Sequence, residues 1–314
     1  MPCRILVISI CALLCACRSD RTETGPIHAV TLTTGDLSAT FVDNQAMPPR
    51  QRAGYNGIAA LQHKHLADSI VVPLYASFNL EHIFSGDSLA DTFEPRRHPM
   101  RLAHINSQTV ELHQNATPIS NLESWTRFTL RPPHYIDVEF RCQACPGTFF
   151  THGYIGLFWA SYINAPEDKH IHFWGNSGED PAPRWISAFS ETHGLKSTHR
   201  SAQDPHALYF ADNFSSRFLA RDLSDYRFLK PFYYGRFRDM VFIYMFDNDR
   251  DIRFSQSPTG GGPQNPAWDF QFIIEPFDYN RMYTFNARLV YKPFVSENDV
   301  MDEFTHWLQT KRTE

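Results

Sequence analysis

Residues 134–140 read His134-Tyr135-Ile136-Asp137-Val138-Glu139-Phe140. In an extended chain successive side chains point to opposite faces. Ile136, Val138 and Phe140 then share one face, and Tyr135, Asp137 and Glu139 the other. That is the pattern of a half-buried β-strand. Upstream, Thr126, Phe128 and Leu130 repeat the alternation, with Pro132-Pro133 as the turn between the two runs. Downstream, Tyr283, Phe285, Ala287, Leu289 and Tyr291 alternate with Thr284, Asn286, Arg288 and Val290. The stretches 154–163 and 240–246 are almost continuously apolar, which suits strands buried on both faces.

Turn signals separate these runs: Gly35-Asp36, Asn106-Ser107, Pro146-Gly147 and Gly260-Gly261-Gly262-Pro263. Gly35-Asp36 reads as the turn of an opening hairpin. One helix is expected at the C-terminus. Ser296 and Asp299 make a capping-box pattern. Val300, Phe304, Trp307 and Leu308 fall on one helical face, and Lys311 and Arg312 suit the C-terminal dipole. Its apolar stripe is expected against the edge or bottom of the sheet. Strands do not alternate with helical patterns, which excludes a Rossmann fold or a βα-barrel. The expected fold is mainly β: one large antiparallel β-sandwich over 27–295, with a C-terminal α-helix over 296–312 packed on it.

The chain has 314 residues, 42% of them hydrophobic and 14% aromatic, enough for a large core and typical of strands. Its formal net charge of −5 argues against a nucleic-acid partner, which would call for a basic stripe. No apolar run is long enough for a transmembrane helix. Residues 1–16 carry Arg4 and then an apolar stretch ending in small residues, the pattern of an export signal. Leu14-Cys15-Ala16-Cys17 resembles the bacterial lipoprotein signal box, which implies cleavage before Cys17 and a lipid on its thiol. Residues 17–26 then form a polar tether. The expected address is the periplasm or cell surface, anchored to a bacterial membrane through Cys17. Of 6 Cys, only Cys142 and Cys145 lie in the folded part. They precede a turn signal and have no second C-x-x-C, so a hairpin-tip pair, bonded or free, is expected rather than redox or zinc chemistry.

No P-loop, G-x-S-x-G, H-E-x-x-H or EF-hand pattern is present. The 15 His have no metal-specific spacing, and neither a metal nor another cofactor is expected. The polar residues set inside apolar strands are more informative. Asn79-Leu80-Glu81-His82-Ile83-Phe84 places a carboxylate and an imidazole side by side. Trp268-Asp269-Phe270-Gln271-Phe272 alternates polar groups with large rings, and Glu275 stands at the end of that run. Carboxylates near apolar groups can serve as acids or bases. Aromatic rings beside hydrogen-bonding groups are what a sugar face requires. The alternative is that Glu81, Asp269 and Glu275 cap turns or pair with Arg96, Arg97 or Arg288.

Thr151-His152-Gly153-Tyr154-Ile155-Gly156-Leu157 resembles the aldose 1-epimerase motif Asn-His-x-Tyr-Phe-Asn-Leu. Ile273-Ile274-Glu275-Pro276 is similar to the strand that carries the family's catalytic Glu. The resemblance implies a galactose mutarotase-like β-supersandwich, with His152 as acid and Glu275 as base. The combined reading is an exported carbohydrate-handling protein using metal-free acid–base chemistry of an epimerase, lyase or hydrolase kind. Glu81, His82, Arg97, His193, His199, Asp269 and Gln271 would hold the sugar, and Trp268 would stack on it. The alternative is a non-catalytic glycan-binding or structural surface lipoprotein.

Overall fold

The computed structural model describes residues 26–87, 92–147 and 150–311. The export signal, Cys17, most of the tether and Arg312 lie outside them. The first three strands, β1 (Ala29–Thr34), β2 (Leu37–Val42) and β3 (Gly57–His63), form a small antiparallel sheet. Gly35-Asp36 turns β1 into β2 as expected, with Gly35 at φ 51°.

All other strands belong to one sheet of 15. They are β4 (Asn79–Phe84), β5 (Met100–Asn106), β6 (Thr109–Gln114), β7 (Leu122–Arg131), β8 (Tyr135–Ala144), β9 (Ile155–Ala160), β10 (Ile171–Ser177), β11 (Arg184–Ala188), β12 (Thr198–Ser201), β13 (Leu223–Phe228), β14 (Phe232–Phe237), β15 (Met240–Phe246), β16 (Ile252–Ser257), β17 (Ala267–Ile274) and β18 (Met282–Pro293). The order across the sheet is β4-β9-β17-β16-β12-β13-β10-β14-β15-β18-β8-β7-β6-β5, and β11 pairs with β10. Every pairing between these strands is antiparallel except β12 with β13, a departure from the all-antiparallel expectation. The described residues also hold two helices, a single turn α1 (Glu94–Arg97) and α2 (Glu297–Lys311).

The sheet curls back on itself and encloses the main core. Trp159 of β9 meets Phe140 of β8 and Phe285 of β18 at 4.8 and 5.3 Å between ring centroids. Phe41 of the small sheet closes one side against Phe128, at 5.0 Å. The alternating residues of β7, β8 and β18 face this core, and β9 and β15 are buried throughout. The helix α2 departs from expectation in its position. Val300, Phe304 and Trp307 lie on the outer face of β14, β15 and β18, over Phe232, Val241 and Val290, and not at an edge. The strands alternate there too, and their second apolar face needs a cover. Cys142 and Cys145 are not bonded to each other. Burial pushes the Cys142 thiol well up, which keeps it protonated.

Candidate active site

The limb β4-β9-β17-β16-β12 has one face in the main core and the other under segment 202–222. On β17 the parity is strict. Trp268, Phe270, Phe272 and Ile274 enter the main core, while Ala267 and Ile273 join a second cluster with Phe158, Phe214 and Leu219. Asp269 and Gln271 share the parity of Ala267. A regular β4 would send Glu81 and His82 to opposite faces. Its register against β9 shifts between Leu80 and His82, a bulge of the kind that re-aims side chains beside functional sites. Leu80 and Ile83 stay in the core, and Glu81 and His82 both line one cavity.

That cavity is about 350 Å³ and is also lined by Phe93, Phe158, Tyr162, His193, Arg217, Phe218, Ser257 and Asp269. Glu81 is nearly buried and is held at both oxygens. Arg96 Nη1 donates to Oε1 at 2.9 Å, and the Tyr162 hydroxyl donates to Oε2 at 2.7 Å. The Arg96 guanidinium also lies 4.1 Å over the Tyr55 ring. Its helix α1 is pinned by buried Glu94, which accepts from the Ile119 and Ser120 amides at 2.6 and 2.9 Å. Asp269 is 1% exposed, and its Oδ1 accepts the Ser161 amide at 3.1 Å. Burial pushes the Asp269 carboxyl well above the usual range, and the Glu81 charge adds to this. Asp269 is therefore biased towards its protonated form in the same cavity as an ion-paired carboxylate.

The two imidazoles are kept neutral. Burial lowers the pKa of His82, against the pull of Glu81. Its ring bonds the Thr92 backbone, and Nδ1 has no hydrogen-bond partner among the described residues. Phe93, Phe158 and Phe218 surround it at 4.3, 5.3 and 5.1 Å. At the cavity mouth, His193 Nδ1 meets Ser257 Oγ at 2.9 Å. Partial burial lowers its pKa, Glu81 opposes that, and Arg217 adds to it. A carboxylic acid, a carboxylate and neutral bases in one apolar cavity can pass protons to and from a bound molecule without changing the net charge.

The other expected site residues lie elsewhere. His152 Nδ1 meets the Ser85 carbonyl at 2.7 Å, and its ring packs on Tyr209 at 4.7 Å. Glu275 Oε2 meets His206 Nδ1 at 3.1 Å. The Ile155–Ile274 pairing brings both to one end of β9 and β17, where both touch segment 202–222. No hydrogen bond or ion pair joins them among the described residues. The Trp268 ring is fully buried in the core and offers no face to a sugar, and its Nε1 donates to the Lys169 carbonyl at 3.1 Å. Gln271 is spent on Thr198 and Ser255, at 3.0 and 2.7 Å. His199 is buried against Ser224 Oγ at 2.6 Å. Arg97 lines a neighbouring depression of about 590 Å³ that shares Phe93 with the cavity.

Tyr162 and Arg217 were not singled out from the sequence. Tyr162 sits at the end of an apolar run, and Arg217 in a segment without periodicity. Arg96 was visible only as a possible partner for a carboxylate, which it is. A further depression of about 520 Å³ beside α2 is lined by Arg127, Arg131, Arg288 and Lys311. Each of these cations is paired with a carboxylate of the protein, which leaves little for a ligand.

No protein-family model matches the chain, and no curated protein matches it. Solved structures do. An Escherichia coli K12 protein provisionally assigned as an aldose 1-epimerase is 10% identical over 85% of this chain and 99% of its own, with a TM-score of 0.46. The aldose epimerase homologue of C. elegans is 8% identical over 85% of this chain and 99% of its own, with a TM-score of 0.46. The heparan sulfate lyase of Pedobacter heparinus is 8% identical over 86% of this chain and 36% of its own, with a TM-score of 0.47. The resemblance to the aldose 1-epimerase superfamily is distant, and a likeness at this level establishes no residue correspondence.

Proposed function

We propose that the chain handles carbohydrate in the cavity between β4, β9, β17 and segment 202–222, by acid–base chemistry that needs no metal. The observation that carries this reading is the buried Asp269 carboxyl, which burial drives towards its protonated form, in one cavity with the ion-paired Glu81 carboxylate. Asp269 is the proton donor to a ring or glycosidic oxygen. His193 is the base, with Ser257 on Nδ1 leaving Nε2 for the ligand. Phe93, Phe158 and Phe218 supply the apolar wall that a pyranose face requires, and Tyr162 holds Glu81 in place. His152 and Glu275 stand outside the cavity, at the end where segment 202–222 is fastened. Arg217 lines the mouth and has no ion pair among the described residues, whereas Glu81 is already neutralised by Arg96. An acidic substituent on the sugar fits that balance.

The test is a turnover and binding screen on neutral and acidic glycans. Asp269→Asn keeps the shape and the Ser161 bond and removes only the acidic proton. It should lower turnover by about 10²–10⁴-fold with affinity within a few-fold. Arg217→Gln should weaken acidic ligands more than neutral ones. Undiminished turnover by Asp269→Asn would end the acid assignment. A second reading, glycan binding without catalysis, is favoured by Glu81, whose two oxygens are both engaged by the protein. Tight binding with no turnover of any glycan would select it. We further place the protein on a bacterial membrane through a lipid on Cys17. Cys17→Ser should then shift it to the soluble fraction, and unchanged partitioning would refute the anchor.

A further inference from the structure

Three segments far apart in sequence meet at one end of the molecule: the β1–β2 turn with Asp36, the end of β3 with His63, and the β7–β8 turn with His134. Backbone bonds fix the meeting. The Asp36 amide donates to the Pro133 carbonyl at 2.7 Å, and the Lys64 amide to the Asp36 carbonyl at 2.8 Å. Gly35 permits the approach, since a Cβ there would lie 2.4 Å from the Pro133 oxygen. We propose that Asp36, His63 and His134 bind a divalent first-row transition ion of the zinc class, which clips the small sheet to the long one.

Asp36 uses Oδ1 for Lys64, at 2.6 Å. Its Oδ2 lies 3.6 Å from His63 Nε2 and 3.9 Å from His134 Nδ1. Those distances are too long for hydrogen bonds. Two ligands on a tetrahedral zinc stand about 3.3–3.4 Å apart, so Asp36 Oδ2 must close on each imidazole nitrogen by about 0.2–0.6 Å. One donor atom from each of the three residues lies within 4.8 Å of the others. The His63 side chain is 2% exposed, and its Nε2 has no hydrogen-bond partner among the described residues. A buried polar atom in that state calls for an explanation, and an ion supplies one.

Behind His134, Nε2 faces Glu303 Oε1 at 3.7 Å. Glu303 is held in turn by Lys292 and by Tyr135. A carboxylate behind a ligating imidazole is the usual outer support of a zinc site. Two imidazoles and one carboxylate suit zinc, cobalt or nickel better than magnesium or calcium. Loading has one cost. His63 Nδ1 accepts the His65 amide at 3.1 Å, and the ring proton must move to Nδ1 when Nε2 takes the ion.

The purified chain, stripped with chelator, is titrated with Zn²⁺ by calorimetry and with Co²⁺ by visible absorption, and its melting temperature is recorded with and without metal. One equivalent should bind, Co²⁺ should show tetrahedral d–d bands, and the melting temperature should rise with metal concentration. Asp36→Asn and His134→Gln should each melt near the wild type without metal but bind at least 10-fold more weakly. Glu303→Gln should weaken binding about 10–100-fold. Absence of binding by the wild type, or binding that survives both Asp36→Asn and His134→Gln, would overturn the site. Neither result bears on glycan turnover, because none of the three ligands lines the cavity.

Discussion

Gly235 has no side chain because the Trp268 ring occupies the place where one would stand. A Cβ there would lie 2.3 Å from a ring carbon. Gly156 stands in the same relation to Phe84, at 2.2 Å. These contacts lock the register of β14 and β9 against large rings, and a close-packed core yields little. Gly235→Ala should therefore destabilise by about 1–3 kcal/mol or more through overpacking. Urea midpoints at constant slope would measure it, and a neutral outcome would mean that the Trp268 ring can shift. The same ring explains why Trp268 cannot be a sugar platform: the parity that sends Asp269 towards the cavity sends its neighbour into the core. Glu81 and His82 escape that parity rule only through the bulge in β4.

At the scale of elements, segment 202–222 roofs the cavity without regular secondary structure, so side chains hold it down. Arg253 of β16 donates to Asp204 at 2.7 Å, with both side chains almost fully buried. It also donates to the His206 carbonyl at 2.9 Å. His206 is clamped between Asp251 and Glu275, at 2.9 and 3.1 Å. The Tyr154 hydroxyl donates to the Tyr209 carbonyl at 2.8 Å. Phe210, Phe214 and Phe218 pack in series over Phe84 and His82. Arg253→Met leaves the buried Asp204 charge without its cation, with the His206 amide at 2.7 Å still donating to it. Breaking one side of such a pair costs about 3–5 kcal/mol, whereas replacing both partners with apolar groups is often nearly neutral. Arg253→Met should loosen the segment, seen as faster proteolysis within 202–222, and Arg253→Met with Asp204→Leu should recover most of the loss. Equal stability of the single and double variants would show that the pair is uncoupled.

Over the whole molecule, acid should act in two stages. Burial, aided by Arg227, lowers His199 from 6.5 to about 3. Unfolding frees it to take a proton, so its contribution is complete above pH 6.5 and declines as pH falls towards 3. Burial pushes Glu303 up, but the nearby His134 ring and the bonds from Lys292 and Tyr135 outweigh it and bring the group from 4.5 to about 2. Its contribution is complete above about pH 4.5 and is lost as pH falls towards 2. His199→Gln should flatten the first stage of a stability–pH curve, and Glu303→Gln the second, where α2 detaches. A curve unchanged by both would refute the assignment.

The class of the fold was legible from the residues alone, because strand alternation and turn chemistry are local. Phe140, Phe128 and Phe285 announce their buried faces within a few positions, and Ser296 announces the start of α2. Glu81, His82 and Asp269 are also legible, as polar groups set among apolar ones, and His193 as a histidine beside a Gly-containing turn. Their convergence was not legible. It depends on one bulge, on the curl of a long sheet, and on segment 202–222, which folds over strands from both ends of the chain. The different surroundings of the two carboxyls, Asp269 buried with no cation paired to it among the described residues and Glu81 paired with Arg96, depend on where Arg96 lies in space, and its distance along the chain says nothing of its place beside Glu81. Local pattern determines which residues can be strands. Only the tertiary structure decides which of their side chains meet, because side-chain encounters are set by pairings distant in sequence.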